Sequence, residues 1–197
     1  MAKYDIKNLI FSSSATVYGE PSSVPINESF PIKGMNPYAI SKIKVEEHLR
    51  GNFHEYPNWR IILLRYFNPI GAHKSGLLGD NPNDKPNNLM PFILKVASME
   101  EEYLEVFGND YETKDGTGVR DYIHVSDLSD AHVSSLGYLF SAEDGSGFCR
   151  SINIGTGIGY SVLEIIETFK KINNIDIPYK IVNKRPGDVS QSFTDTQ

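Results

Sequence analysis

Leu9-Ile10-Phe11-Ser12-Ser13-Ser14 sets three apolar residues directly against three hydroxyls. A short apolar run that stops so abruptly predicts a buried strand delivering hydroxyls at its carboxyl end. That end is where open α/β sheets place ligands. A Pro-, Ser- and Gly-rich loop over residues 19–35 follows, and then Asn36-Pro37 predicts a helix start, with Asn36 as N-cap and Pro37 at the first helical position. The helix is expected to run to about residue 49. Residues 60–67 are densely apolar without clean alternation, which predicts a central parallel strand covered on both faces and ended by Asn68-Pro69.

Outward from these elements, residues 71–88 are polar and interrupted by Gly and Pro, too long for a simple connection and so expected to be a functional loop. A helix over about 89–99 and a strand at 104–107 come next; residues 116–125 then lead into a helix beginning near Ser126 or Asp127. A strand is expected at 151–154. Ser161 and Glu164 form a capping box opening a helix whose Val162, Ile165, Ile166, Phe169 and Ile172 keep helical spacing. A last strand is expected at 179–182. Strands alternating with helices predict an α/β fold with a mainly parallel sheet. Gly155-Thr156-Gly157-Ile158-Gly159 invites a dinucleotide-binding reading, but Tyr160 stands where the third glycine of G-x-G-x-x-G belongs, and Tyr179 stands where an acid is expected. It reads as a tight turn carrying Ser161 to its cap.

The composition is that of a globular chain: 197 residues, 40% apolar and 22% charged. A net charge of -6 with a pI near 5.4 argues against a broad nucleic-acid footprint. The apolar stretches are strand-sized and the amino terminus has no signal-peptide pattern, so no membrane span is expected and the chain reads as cytoplasmic. Cys149 is the only cysteine, which rules out an intrachain disulfide, and the five histidines lack metal-ligand spacing, so no metal is expected.

Tyr38 and Lys42 stand four apart on the predicted helix, one turn apart on the same face. Tyrosines ordinarily ionise near pH 10, and an ammonium about 4 Å away, at an effective dielectric near 20, stabilises a phenolate by about 4 kcal/mol. The positive end of a helix acts in the same sense. A Tyr-x-x-x-Lys pair can thus serve as general base toward an alcohol or sugar hydroxyl. The pair alone also occurs by chance on solvated helix faces. Ser14, at the expected strand end, can share the proton with Tyr38.

The chain carries Ser12-Ser13-Ser14-Ala15-Thr16-Val17-Tyr18-Gly19, Pro37-Tyr38-Ala39-Ile40-Ser41-Lys42 and Leu64-Arg65-Tyr66-Phe67-Asn68-Pro69-Ile70-Gly71-Ala72-His73. Further on come Pro86-Asn87-Asn88-Leu89-Met90-Pro91, Phe107-Gly108-Asn109-Asp110-Tyr111, Gly118-Val119-Arg120-Asp121-Tyr122-Ile123-His124 and Arg185-Pro186-Gly187-Asp188. In this order the blocks resemble the UDP-glucose 4-epimerases of the extended short-chain dehydrogenase family, over nearly the whole chain. The resemblance implies the carboxyl-terminal part of a Rossmann-type doubly wound parallel sheet with a small α/β substrate-binding region, NAD as cofactor and a UDP-sugar as substrate. It implies Tyr38 as catalytic acid and base, Lys42 holding it ionised and touching the nicotinamide ribose, Ser14 bridging the sugar O4, and Phe67 beside the nicotinamide. For the nucleotide it implies Asn68, Asn88, Leu89, Glu105, Val106, Phe107, Arg120, Arg185 and Asp188; for room beside the hexose, Ser192. Asn68 and Asn88 can equally shape a turn and a helix cap.

On the same basis residues 1–70 are expected to form the second half of a dinucleotide-binding domain and 71–197 mainly the nucleotide-sugar region, with segments near 119–139 and 151–160 returning to the first. The resemblance also implies a homodimer. The Gly-rich phosphate loop of the family's first strand has no counterpart, and residues 1–7 are too few for the preceding strands. A chain lacking that half of the sheet is expected to hold no stoichiometric NAD. Rival reactions are 4,6-dehydration, for which relatives resemble Thr-Asp-Glu where this chain has Ser14-Ala15-Thr16, and the UDP-glucuronate epimerases and decarboxylases. A non-catalytic nucleotide-sugar-binding remnant is the alternative from outside the enzymes.

Overall fold

The computed structural model describes residues 1–82, 86–141 and 146–196. In chain order the elements are β1 (Asn8–Ser12), α1 (Pro37–Glu55), β2 (Arg60–Tyr66), β3 (Asn68–Ile70), α2 (Leu89–Ala97), β4 (Leu104–Phe107) and β5 (Val119–His124). Then follow α3 (Val125–Ser141), β6 (Phe148–Ile154), β7 (Gly159–Ser161), α4 (Val162–Asn173), β8 (Tyr179–Val182) and β9 (Gln191–Ser192), with 3-10 turns at Ala2–Tyr4 and Ala15–Tyr18. No helix among the described residues is long and apolar enough to cross a membrane.

β2 organises the first layer. It pairs in parallel with β1 on one side, Ile10 opposite Ile62, and with β6 on the other, Leu64 opposite Ile152. Because strand side chains alternate faces, Ile61 and Leu63 pack with Leu49 and Trp59 on the α1 side, while Ile62 and Leu64 pack with Leu139 of α3 on the other. All four are fully buried, as expected for a central strand covered on both faces. A second core joins α2, β4 and α4 through Phe92, Ile93, Leu104, Val106 and Ile166, with β4 pairing in parallel with β8. Between them β5 pairs with β3 and β9 in parallel and with β7 antiparallel.

Several expected boundaries move, each for a physical reason. α1 begins as read, the Asn36 side chain accepting from the Ala39 amide at 2.9 Å with Pro37 in the first turn. It continues past residue 49 to Glu55 because Phe53 packs on the cluster of Leu49 and Trp59, and Tyr56 beyond it stacks on Trp59 at 4.7 Å. This packing outweighs the unfavourable Gly51. Asn68-Pro69 ends β2 but continues as β3, an edge strand where a residue without an amide proton is tolerated. α2 stops at Ala97, two residues early, where Ser98 caps it and Met99 turns to a φ of 63°. Residues 119–124 form β5, and α3 starts at Val125, ahead of the expected Ser126. Gly159–Ser161 is a short strand rather than a bare turn, although the capping box at Ser161 and Glu164 is present as read.

Candidate active site

The abrupt change from apolar to hydroxyl residues at the end of β1 turns the chain into the Ala15–Tyr18 3-10 turn. Ser14 is its N-cap: the Thr16 amide and hydroxyl both donate to Ser14 Oγ, at 3.2 and 3.0 Å. The adjacent α1 brings Lys42 to this place, its Nζ donating to the Ser12 carbonyl at 2.9 Å. The same ammonium lies 5.4 Å from the centre of the Tyr38 ring, within cation–π range. Tyr38 itself is 51% exposed, leaving about half of the side chain open to solvent. Phe67, just beyond β2, is buried and packs with Ala15, Val17 and Tyr18 beneath the turn.

The residues expected for the nucleotide converge on one cleft of about 1610 Å³. Asn68, Asn88, Leu89, Glu105, Val106, Phe107, Arg120, Arg185 and Asp188 all line it, together with part of the 71–81 loop. Ser14, Tyr38, Lys42 and Phe67 do not line it, and neither does Ser192, which sits in β9 opposite Arg120 of β5. Asn88 occupies the N-cap position of α2 without a side-chain capping bond. Asn88 thus lines the cleft without capping the helix through its side chain. Arg185 is braced on three sides: its Nε donates to Asp188 Oδ2 at 2.9 Å, its Nη1 to the Asn87 carbonyl at 3.2 Å, and its guanidinium lies 4.5 Å from the Phe107 ring. Arg120 Nη1 donates to the Val119 carbonyl at 2.9 Å. Two guanidiniums fixed around one cleft suit a diphosphate, and the Phe107 ring beside them suits a base. Tyr122 also lines the cleft, but burial pushes its phenol up to about 12, so it stays protonated and neutral at pH 7.

The glycine turn after β6 already has its anion. Asp121 of β5 is fully buried and accepts the Thr156 amide at 2.8 Å, the Thr156 hydroxyl at 2.7 Å, the Gly157 amide at 2.9 Å and the Thr194 amide at 3.3 Å. Amides that would otherwise cradle a phosphate thus hold a carboxylate of the chain itself. Gly157, at a φ of 78°, and Gly155, where a Cβ would meet Asp121 Oδ2 at 2.5 Å, are glycines for this closure.

A second buried polar group was not foreseen from sequence. Glu46, one turn beyond Lys42 on α1, is 1% exposed and bidentate to Arg65 of β2, at 3.0 Å to Nε and 2.5 Å to Nη2. Ser13 Oγ donates to the same carboxylate at 2.5 Å, Arg65 Nη1 donates to Tyr18 at 3.0 Å, and Tyr18 donates to Asn153 at 2.6 Å. Burial raises the Glu46 carboxyl, but the bonds from Arg65 and Ser13 outweigh it and hold it below the ordinary carboxylate range. The signal was available: an arginine inside the apolar run of residues 61–66 requires a buried partner, and Glu46 continues the Tyr38, Lys42 spacing by one further turn.

Residues 1–155 match the model of the NAD dependent epimerase/dehydratase family. The chain is 52% identical over 195 residues to a UDP-glucose 4-epimerase of Dictyostelium discoideum and 50% identical over 196 residues to one of Bacillus subtilis, in each case 99% of this chain and 56% of the relative. It superposes on the Bifidobacterium longum UDP-glucose 4-epimerase, solved with NAD+ and UDP, with a TM-score of 0.93 at 48% identity, covering 99% of this chain and 57% of that one. The chain thus spans a little over half the length of the relatives it matches. The parallel β1-β2-β6 layer is accordingly the carboxyl-terminal part of a Rossmann-type epimerase fold. With the family model matching most of its length, this chain belongs to the NAD dependent epimerase/dehydratase family.

Proposed function

We propose that this chain carries the catalytic pair and the nucleotide-binding cleft of a UDP-glucose 4-epimerase, which interconverts UDP-glucose and UDP-galactose. The observation that carries this reading is the single cleft framed by Arg120, Arg185, Asp188, Phe107, Asn68 and Asn88. The relatives' names and the NAD+ and UDP of the Bifidobacterium structure point the same way. The residues at the end of β1 fit the nicotinamide ribose: an ammonium anchored at 2.9 Å to a strand-end carbonyl, an exposed phenol and a seryl hydroxyl offer both donors and acceptors to vicinal hydroxyls. The chemistry NAD supplies when bound is reversible acceptance of a hydride from C4 of the sugar. Tyr38 takes the O4 proton and later gives it back, Ser14 shares that proton, and Lys42 stabilises the phenolate. Phe67, buried against Ala15, Val17 and Tyr18, would support the turn on the nicotinamide side from beneath. The clamp on the nucleotide leaves the 4-keto hexose free to turn and present its other face. Ala15 and Thr16, lacking carboxylates, offer no proton relay for 4,6-dehydration. The exposed Ile40 and Val45 of α1 suit pairing with a second copy.

Titration of the chain with UDP by calorimetry tests the clamp. Arg185→Ala removes the charge and also unfastens Asp188, so affinity should fall by about tenfold to a hundredfold, the scale of one or two charged hydrogen bonds. Equal affinity in wild type and variant would take Arg185 out of the clamp. The small Ser192 is expected to leave room for a 2-acetamido group on the hexose. In a chimera joining this chain to the amino-terminal segment of the Bacillus subtilis relative, Ser192→Tyr should lower the kcat/KM ratio of acetylated to plain UDP-hexose by about tenfold, the scale on which a change of side-chain volume discriminates between substrates. A ratio left unchanged by the substitution removes Ser192 from the gate.

A further inference from the structure

We propose that Glu46 is a positioning residue for the reaction, holding the exit of β1 so that Ser14 is presented beside Tyr38; this rests on the epimerase reading above. Tyr38, Lys42 and Glu46 follow one another at four-residue spacing along one face of α1. The lower two grip consecutive residues of the strand end. Lys42 donates to the Ser12 carbonyl at 2.9 Å, and Glu46 accepts from Ser13 Oγ at 2.5 Å. Ser14 is the next residue, so the direction in which it leaves the strand is set by these two contacts. The Glu46 carboxylate is in turn fixed by the Arg65 fork, and Arg65 reaches Tyr18 at the far end of the turn that Ser14 caps. One carboxylate therefore ties the helix bearing the base, the central strand and both ends of the turn bearing Ser14.

Such an arrangement has a consequence beyond stability. A buried ion pair replaced as a whole by apolar residues of similar size often leaves a protein as stable as before, but the bond to Ser13 is then lost. Glu46→Leu combined with Arg65→Met should keep the thermal midpoint within a few degrees of wild type. Hydrogen exchange on the chain should nevertheless show the Thr16 and Val17 amides, which bond to Ser14, losing at least about tenfold protection, while the amides of β4 and α2 keep theirs. In the chimera the same pair of substitutions should lower kcat about tenfold to a hundredfold with KM for UDP-galactose unchanged, the scale of a small misplacement of a catalytic group.

Should the double variant not fold, Ser13→Ala, which keeps both charges, carries the same two measurements, and a loss in exchange and kcat is again expected. Normal protection at Thr16 and Val17, or normal kcat, in a folded variant overturns the proposal. An unsubstituted chimera that binds UDP without converting UDP-galactose sinks the epimerase reading instead. Exchange at Thr16 and Val17 then decides the positioning claim alone.

Discussion

Tyr38→Phe, in the chimera with the Bacillus subtilis amino-terminal segment, should lower turnover of UDP-galactose by about a hundredfold or more while leaving UDP affinity unchanged. The size follows from loss of a general acid and base, which contributes on the order of a hundred to ten thousandfold. The selectivity follows from position: Tyr38 stands exposed in the first turn of α1, whereas Arg120, Arg185 and Asp188 line a cleft to which it does not contribute. Removing one hydroxyl from a half-exposed ring disturbs no packing, so the thermal midpoint should also hold. Steady-state rates with calorimetric UDP titration read both halves at once. Near-normal turnover would exclude Tyr38 from the proton transfer.

Asp121→Asn should be the most damaging conservative change to stability, at roughly 3–5 kcal/mol. The carboxylate accepts from two backbone amides of the glycine turn, from Thr156 Oγ1 and from the Thr194 amide, with each oxygen taking more than one donor. Asparagine keeps one acceptor oxygen, which serves one pair of these donors, and turns its NH2 toward the other pair, donor facing donor. Hydrogen bonds to a buried charge contribute about 1.5–3 kcal/mol each, and an unsatisfied buried donor adds its own penalty. Urea unfolding of the chain measures this, and a loss below about 1 kcal/mol would mean that the clasp is unimportant. Because Asp121 pins Thr194 beside β9, which pairs with β5 at Arg120, the same change should also weaken UDP binding.

What the sequence made legible was whatever a local pattern specifies. The apolar run ending in Ser12-Ser13-Ser14 located β1, Asn36-Pro37 located the start of α1, and Ser161 with Glu164 located α4, since strand burial and helix capping are decided within a few residues. Elements decided by distant contacts were harder to read. The end of α1 depends on Phe53 and Trp59 packing in one cluster on the α1 side of the sheet, and β3 and β7 are three-residue strands that exist because β5 lies between them. The residues proposed for the nucleotide come from β3, the start of α2, β4, β5 and the 185–188 turn, too scattered for spacing to reveal; only resemblance brought them together. The buried partnerships of Asp121 and of Glu46 with Arg65 are a different kind of omission. Arg65 alone stands inside an apolar run and so signals a buried partner, whereas Glu46 and Asp121 lie in polar sequence, and their burial and partners are supplied by the tertiary fold.

The most direct test of the central claim follows deuterium. UDP-galactose labelled with deuterium at C4 is incubated with the chimera and NAD, and the product is examined by mass spectrometry and NMR. Epimerisation through removal and return of the same hydride, with Tyr38 moving only the O4 proton, predicts UDP-glucose that keeps deuterium at C4 and no net reduction of NAD. Product that has exchanged its C4 deuterium for solvent hydrogen, or UDP binding with no conversion, would contradict it.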